Sequence, residues 1–235
     1  MIEGGFAGSF LYESLEEKYQ YINKEVVETI IRRDIVDRYK IRNQKVLDNL
    51  VDYMFDNVSC LLSPNNITDY LNKNREEITN KTISNYINYL SHAFTFYKMN
   101  RYDLKGKGYL VTDNKFYLAD PAMRYARLGT KNLDRGRMIE NIVAIELLRR
   151  GYTTYVGKLY EKEVDFVVNR WDSKEYIQVC ENFINESTKQ REVSSLKAIK
   201  DNYPKIILSR TKQPEYDIDG IKVINLVEWL LDISK

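Results

Sequence analysis

The sequence is poor in the residues that interrupt helices and in those that bind soft metals. Its 235 residues include 10 Gly, 4 Pro, 2 Cys and 1 His. Sparse Gly and Pro predict long helices with short connections. One histidine, His92, argues against His-based zinc catalysis and against a serine or cysteine triad. Two cysteines far apart in sequence, Cys60 and Cys180, predict free thiols in the reducing cytoplasm.

Long apolar runs and an excess of one charge are also missing. No run approaches the ~18 apolar residues that a membrane-spanning helix needs, and no secretory signal is apparent at the start. We therefore expect no membrane association. Lys plus Arg number 36 against 34 Asp plus Glu, a net charge of +2. This excludes a histone-like polycation but leaves room for a local basic surface.

The pattern of apolar residues changes near Gly129. Helical periodicity dominates before it, and short apolar strands alternate with helices after it. We predict two domains, a helical one over 1–128 and an α/β one over 129–235, and therefore a mixed α and β fold. The predicted elements of the second domain are a helix at 134–150, strands at 152–160, 163–169 and 175–182, a helix at 186–202, strands at 205–209 and 221–225, and a helix at 227–233.

The first domain contains a winged-helix pattern. After a long helix at 15–39 and a second at 46–58, short helices are predicted near 64–71 and at 82–90. A strand, the basic turn 105–108 and another strand follow them. In winged helices that bind DNA, the second helix enters the major groove and the wing contacts phosphate. The same fold also serves as a protein-contact module, so a partner protein or self-association remains the alternative.

Basic and amide side chains give candidate nucleic-acid contacts in three places. The predicted recognition helix carries Lys81, Thr82, Ser84, Asn85 and Asn88, and the predicted wing carries Arg101, Lys105 and Lys107. The densest basic run straddles the predicted domain boundary and contains Arg124, Arg127, Lys131, Arg135 and Arg137. A solvated linker is the alternative interpretation of this run.

Acidic residues on neighbouring elements of the second domain give a candidate metal site. Glu140 lies in the first helix, Asp165 in the second strand, and Gln178 and Cys180 in the third strand. Mg²⁺ prefers hard oxygen ligands and keeps several waters, so two carboxylates such as Glu140 and Asp165 can hold it. Glu163 can assist, because alternate strand residues share one face.

Several blocks of the sequence resemble one family. "RGRMIENIVAIELLRRGY", "KEVDFVV" and "YIQVC" are similar to the restriction-endonuclease-like, PD-(D/E)XK-type domain at the C-terminus of predicted prokaryotic AAA+ ATPases. "EGGF", "ETIIRRDIVDRYKIRN", "KTISNYINYLSHAFTFYKMNRYDLKGKGY" and "FYLADPAMRYARLG" resemble the segment that joins the ATPase to that domain. The resemblance implies a restriction-endonuclease-like mixed sheet after the helical module.

Two departures from that family shape the functional expectation. The sequence has no G-x-x-x-x-G-K-[ST] motif, and the segment 4–8 lacks the lysine of a phosphate loop. We therefore expect no ATP hydrolysis by this chain, with ATP bound only in a longer parent protein. The resemblance also implies an acid at position 178 and a lysine at position 180, where this chain has Gln178 and Cys180. A thiol cannot supply the positive charge of a lysine.

The sequence thus predicts a non-catalytic binding or regulatory region of an AAA+ ATPase that contacts DNA or a partner protein. The alternative is an Mg²⁺-dependent nuclease that uses Glu140 and Asp165.

Overall fold

The chain passes between two structural units three times. This computed structural model describes residues 3–73, 78–106, 108–130 and 134–232. The first unit comprises Met1–Lys98 and Phe116–Leu133. The second comprises Met99–Lys115 and Asp134–Lys235. The predicted single boundary at 128/129 is thus replaced by three crossings. The segment 99–115 lies in the second unit because Arg101–Asp103 pair in parallel with Val156–Lys158.

The first unit begins with a long helix, as predicted. Helix α1 (Leu15–Tyr21) is preceded by Ser14, which caps its first turn. The Ser14 side chain accepts a hydrogen bond from the backbone N–H of Glu17. The chain stays helical to residue 39, but Ile22–Val27 and Ile30–Asp37 form π-helical turns. The apolar face of this helix is buried through Ile22, Val27, Ile31 and Ile35.

The predicted helix-turn-helix is confirmed in the first unit. Its helices are α2 (Gln44–Asp56), α3 (Pro64–Lys73) and α4 (Asn80–His92), with the short strand β1 (Leu61–Leu62) between the first two. The Ser63 hydroxyl accepts a hydrogen bond from the N–H of Asn66 at 3.2 Å. Helix α4 starts two residues before the predicted position because the Thr79 side chain accepts from the N–H of Thr82.

One helix of this unit was absent from the prediction. Helix α5 (Pro121–Leu128) begins at Asp120, whose Oδ1 accepts from the N–H of Ala122 at 2.7 Å. The other oxygen of Asp120 accepts from the N–H of Gly5 at 2.6 Å. Gly4 has a φ of +73°, and a Cβ there would lie 2.5 Å from the Asp120 carboxylate. The carboxylate of Asp120 thus lies against the glycine-rich segment. In a phosphate loop, this space would have to be open for the phosphate.

The second unit is built on a mixed sheet. Its strands are β4 (Thr153–Leu159), β5 (Lys162–Arg170), β6 (Ser173–Cys180), β7 (Lys205–Ser209), β8 (Tyr216–Ile218) and β9 (Ile221–Asn225), together with residues 99–103 of β2 (Phe96–Asp103) and 108–115 of β3 (Gly108–Leu118). Within this unit they follow the order β3-β2-β4-β5-β6-β7-β9-β8. Strands β4 to β6 are antiparallel, and β7 runs parallel to both β6 and β9. The three-residue strand β8 was not predicted.

Three helices accompany the sheet: α6 (Arg135–Arg149), α7 (Glu186–Lys197) and α8 (Leu226–Leu231). Helix α6 packs against β4, β5 and β6, and α7 packs against β5 and β6. The core between α7 and the sheet includes Val167, Phe183, Leu196, Ile207 and Val223. The mixed α and β fold predicted from the sequence is confirmed. Across the described part of the chain, no helix has the length and apolar character needed to cross a bilayer.

Candidate functional site

The second unit places the predicted acids on adjoining elements. The side chain of Asp134 caps helix α6 by accepting a hydrogen bond from the N–H of Arg137, and Glu140 follows in the second turn of that helix. Strand β5 carries Glu163 and Asp165, which alternate along it and share one face. Glu140 and Glu163 both form ion pairs with one lysine side chain.

That cation is the ammonium of Lys115, from strand β3. Its Nζ lies 2.9 Å from Glu140 Oε1 and 2.6 Å from Glu163 Oε1. Lys115 is only 4 % exposed. Position 180 carries no lysine, as the sequence shows, but a buried ammonium reaches these acids from position 115 instead. We call Lys115, Glu140, Glu163 and Asp165 the lysine–carboxylate cluster.

Charge and burial act in opposite directions within the lysine–carboxylate cluster. Burial alone would lower the pKa of Lys115, but the negative charges of Glu140, Asp165 and Glu163 outweigh it and raise that pKa above its ordinary value. Lys115 is therefore a permanent cation at physiological pH. The pKa of Asp165 is raised well above its ordinary value, first by burial and then by the charge of Glu140. Three carboxyl groups facing one ammonium favour a proton on the most buried of them.

Backbone N–H groups of β6 and β5 hold the side chains of Asp165 and Gln178, respectively. The N–H of Val179 donates to Asp165 Oδ2 at 2.8 Å. In the other direction, Gln178 Oε1 accepts from the N–H of Asp165 at 3.2 Å. Gln178 is buried, and its amide oxygen is engaged by the backbone of the neighbouring strand. The side chain of Gln178 thus serves to join two strands.

Cys180 adds no charge to the lysine–carboxylate cluster. It is buried at the end of strand β6, in the core that includes Phe183 and Leu196. Burial raises the pKa of its thiol to about 12. The thiol therefore stays neutral at physiological pH, as expected of an inert structural cysteine rather than a nucleophile. Cys60 forms no disulfide with Cys180 and is partly exposed.

The cluster is arranged for internal neutralisation rather than for an open metal site. Within the described residues, no group of three or more His, Cys, Asp or Glu side chains is placed to hold a metal ion. Glu140 and Asp165, the predicted ligands, are the residues that could contribute oxygens to Mg²⁺. A divalent ion would compete with the ammonium of Lys115 for the same carboxylates. The arrangement therefore holds the buried ammonium of Lys115 between one acid of α6 and one acid of β5.

Two of the predicted nucleic-acid contacts lie inside the first unit. Arg124 is 4 % exposed and its guanidinium donates to Asp56 Oδ1 at 2.8 Å. Arg127 donates to Asp52 Oδ1 at 2.6 Å. These ion pairs attach α5 to α2, so both guanidinium groups are engaged within the first unit, and nucleic-acid binding by Arg124 and Arg127 would require them to leave these acids. Their spacing of three residues places both on the face of α5 that packs inward.

The remaining basic candidates are at the surface or outside the described residues. Lys81 and Asn85 are exposed on α4, and Lys105 is exposed in the β2–β3 turn, where its Nζ lies 4.7 Å from the Tyr160 ring. Arg135 is exposed at the start of α6, and Arg137 pairs with Asp134 at 3.1 Å. Lys107 and Lys131 lie outside the described residues. Nucleic-acid binding by these side chains stays a prediction.

The sequence reasoning missed Lys115. One signal was available: the segment 115–118 places a lysine directly before the apolar run Phe116, Tyr117 and Leu118, in a strand that is buried on both faces. A lysine in such a strand is rarely buried without an acidic partner. The partner could not be identified from the sequence because Glu140 and Glu163 lie on other elements.

Comparison with known proteins identifies a family and no activity. Residues 1–134 match a family described as a domain of unknown function, DUF8612. An uncharacterised protein of Haemophilus influenzae is 39% identical over 228 residues, which cover 97% of this chain and 56% of that protein. An uncharacterised protein of Methanocaldococcus jannaschii is 34% identical over 206 residues, which cover 84% of this chain and 44% of that protein.

The chain therefore spans about half the length of the curated relatives it matches. No solved structure matches it. The family match covers more than half of the chain and includes the helix-turn-helix and the β2–β3 hairpin. On this basis the protein belongs to the DUF8612 family.

Proposed function

We propose that this chain is a non-catalytic binding and regulatory region of an AAA+ superfamily ATPase. The observation that carries the proposal is the position of Lys115. Its ammonium contacts Glu140 and Glu163, and Glu140 is one of the two carboxylates that would hold Mg²⁺ in the alternative function. The fold of the nuclease is retained in this proposal, and its metal is replaced by a side-chain cation.

Neutralisation within the cluster supports a structural role. Two acids bind one buried lysine, and Asp165 accepts a backbone hydrogen bond while its raised pKa favours the protonated form. The ammonium of Lys115 offsets part of the negative charge of Glu140 and Glu163, which weakens the attraction of the cluster for a divalent ion. The neutral thiol of Cys180 adds nothing to activate water.

The ATPase part of the proposal rests on sequence blocks and on length. The blocks "RGRMIENIVAIELLRRGY" and "FYLADPAMRYARLG" resemble C-terminal regions of AAA+ ATPases. Both curated relatives are substantially longer than the matched region, which leaves room for an ATPase domain in a parent protein. By itself this chain would hydrolyse ATP no faster than a buffer control, and a faster rate would contradict that part of the proposal.

Divalent-ion binding tests the non-catalytic role. The melting temperature of the protein is measured with increasing Mg²⁺ or Mn²⁺, since a ligand that binds only the folded state raises it. We expect no metal-dependent increase for the wild-type protein. Lys115→Met is the positive control, because it removes the ammonium and leaves the acids open to a divalent ion. A wild-type increase as large as that of Lys115→Met would overturn the proposal.

A metal-dependent nuclease is the second candidate function. The observation in its favour is that an ammonium does contact Glu140 and Glu163, although it comes from β3 and not from position 180. A lysine beside metal-bound carboxylates can orient the attacking water. Nicking of supercoiled DNA with Mn²⁺ separates the two candidates. Cleavage that disappears in both Asp165→Ala and Lys115→Met would establish the nuclease and reject the non-catalytic role.

A further inference from the structure

Trp171 occupies a position that the fold itself does not explain. It lies in the tight turn between β5 and β6 and is 98 % exposed. Its φ is +55°, in the left-handed region that favours Gly, Asn or Asp in hairpin turns. A large aromatic residue there has an unfavourable backbone conformation and gains almost no burial in return. Both observations indicate that the ring contacts something outside the chain.

A second hairpin turn carries an aromatic residue whose ring does have a partner within the chain. Tyr160 lies between β4 and β5 with the same φ of +55°. Its ring, however, has the ammonium of Lys105 4.7 Å from its centroid, a favourable cation–π arrangement. No such partner faces the Trp171 ring among the residues that the structure describes. Tyr160 is therefore a matched control for Trp171.

Trp171 is one of the residues that line an open cleft of about 540 Å³ within the second unit. The other residues that line the cleft are Arg150, Gly151, Thr153, Asn169 and Arg170. Asn169 Oδ1 is buried and has no hydrogen-bond partner in the described part of the chain. An unpaired buried oxygen is costly, so a ligand that donates a hydrogen bond is favoured. The terminal torsion of an Asn side chain is soft, which allows this oxygen to turn toward a ligand.

The two arginines of the cleft have different roles. Arg150 is fixed: its Nε donates to Glu146 at 2.6 Å, its NH2 group donates to the carbonyl of Trp229, and its guanidinium lies over the Trp229 ring. Arg170 is exposed, and its guanidinium lies 5.7 Å from the centroid of the Tyr152 ring. It makes no ion pair with an acid among the described residues. One wall of the cleft is thus rigid and neutralised. The turn itself presents the exposed guanidinium of Arg170, which no described acid pairs, next to the exposed ring of Trp171.

We propose that Trp171 and Arg170 bind single-stranded nucleic acid. An unpaired base stacks on the Trp171 indole, the adjacent phosphate pairs with the Arg170 guanidinium, and an N–H group of the base, such as N3–H of thymine, donates to Asn169 Oδ1. Every base has a flat π face, so such stacking tolerates many sequences. A duplex is disfavoured because its base faces are already stacked on one another. A positively charged surface next to the ring complements a backbone with one negative charge per nucleotide.

This inference names a ligand class for the proposed binding function. It rests on that function only because both treat the chain as a binding region. The two can fail separately. Metal-dependent cleavage would reject the non-catalytic role, whereas oligonucleotide binding is measured in EDTA, where a metal nuclease is silent. Failure to bind single strands would reject the Trp171 site and leave the metal and cleavage results unchanged.

Tryptophan fluorescence gives a direct readout, because the chain has 2 Trp and Trp229 is only 6 % exposed. Oligo(dT) is titrated into the full chain in EDTA at low salt. We expect quenching of the exposed Trp171 and protection of it from acrylamide. Two further arms use the same sequence as a duplex and free dTMP, and both should bind more weakly than oligo(dT). No quenching by oligo(dT), or equal affinity for dTMP, would overturn the proposal.

Variants are measured by the anisotropy of a labelled oligonucleotide, which does not depend on tryptophan. We expect Trp171→Ala to weaken binding by at least ~5-fold, in line with the loss of one stacked base, and Trp171→Phe to restore most of the affinity. Arg170→Gln should weaken binding and reduce its dependence on salt. Tyr160→Ala and Lys222→Gln, which change an exposed turn aromatic and an exposed lysine elsewhere, should have no effect. Equal losses in Trp171→Ala and Tyr160→Ala would contradict the assigned site.

Discussion

The ammonium of Lys115 lies 2.9 Å from the carboxylate of Glu140, although the two residues fall on opposite sides of the domain boundary predicted from the sequence. The contact exists because residues 99–115 belong to the second structural unit. A buried ion pair of this kind contributes less to stability than its charges suggest, since both groups have lost their hydration. Its larger consequence appears when one partner is removed.

Removal of the Lys115 ammonium should destabilise the protein strongly. In Lys115→Met, the acids Glu140, Glu163 and Asp165 would face one another without a cation. We expect a loss of about 3–5 kcal/mol in the free energy of unfolding, the usual range for a broken buried pair. Urea unfolding in EDTA measures it. Lys105→Met, at an exposed position of the same hairpin, should change stability by less than ~0.5 kcal/mol. Equal effects of the two variants would contradict an internal role for Lys115.

The raised pKa of Asp165 predicts a pH-dependent stability. In the folded protein, Asp165 keeps its proton at pH values where the unfolded chain has lost it. The folded state then binds more protons than the unfolded state, so the free energy of unfolding falls as pH rises toward the folded-state pKa. Asp165→Asn removes this ionisation and can still accept the hydrogen bond from Val179.

We therefore expect Asp165→Asn to raise the melting temperature relative to wild type, and to raise it more at pH 8 than at pH 5. Each kcal/mol corresponds to about 2–4 °C for a chain of this size. Asp172→Asn, which changes an exposed carboxyl in the β5–β6 turn, is the matched control. A gain in stability that is the same at both pH values would show that Asp165 is ionised throughout.

Thiol reactivity tests the environment of Cys180. Because burial raises the pKa of this thiol to about 12, almost no thiolate is present at pH 8, and the thiolate is the reactive form. We expect iodoacetamide to modify the partly exposed Cys60 and to spare Cys180 in the folded protein. Peptide mass spectrometry distinguishes the two sites, and labelling in denaturant shows that both can react. Modification of Cys180 at the rate of Cys60 would refute its inert role.

The interior position of Arg124 predicts a loss of stability when its charge is removed. Arg124→Met deletes the charge-assisted hydrogen bond to Asp56, and we expect a loss of about 1–3 kcal/mol. Arg135→Met is the control, because the Arg135 side chain is 69% exposed and only distantly paired. Thermal unfolding of both variants checks this expectation. Similar melting temperatures for the two would indicate that Arg124 is dispensable for packing.

Local sequence patterns were sufficient for most of the fold. Capping residues and apolar periodicity located the long helix from Leu15 and the helix-turn-helix after Ser63, because these signals act within a few residues. Helix α5 and strand β8 were missed. The first starts at an Asp-Pro pair that was not recognised as a helix start, and the second has only three residues, too few to show alternation.

The candidate site was predicted only in part, since it depends on contacts between distant segments. Glu140 and Asp165 were identified because helix and strand patterns placed them on neighbouring elements. Lys115 was not, because 25 positions separate it from Glu140 and no local rule links a strand lysine to a particular acid. The same applies to Arg124, whose partner Asp56 is 68 positions away. Ion pairs of this range follow from topology, which the sequence pattern did not determine.

The threefold passage of the chain between its units limits how the protein can be dissected. A fragment covering 129–235 would begin without β2, β3 and Lys115, and its β4 edge would lose the parallel partner at Arg101–Asp103. Exposed strand edges of this kind promote aggregation. The second unit therefore cannot be transferred to another protein as one contiguous gene segment. A recombination event between residues 128 and 129 would separate Glu140 and Glu163 from their counter-ion, Lys115.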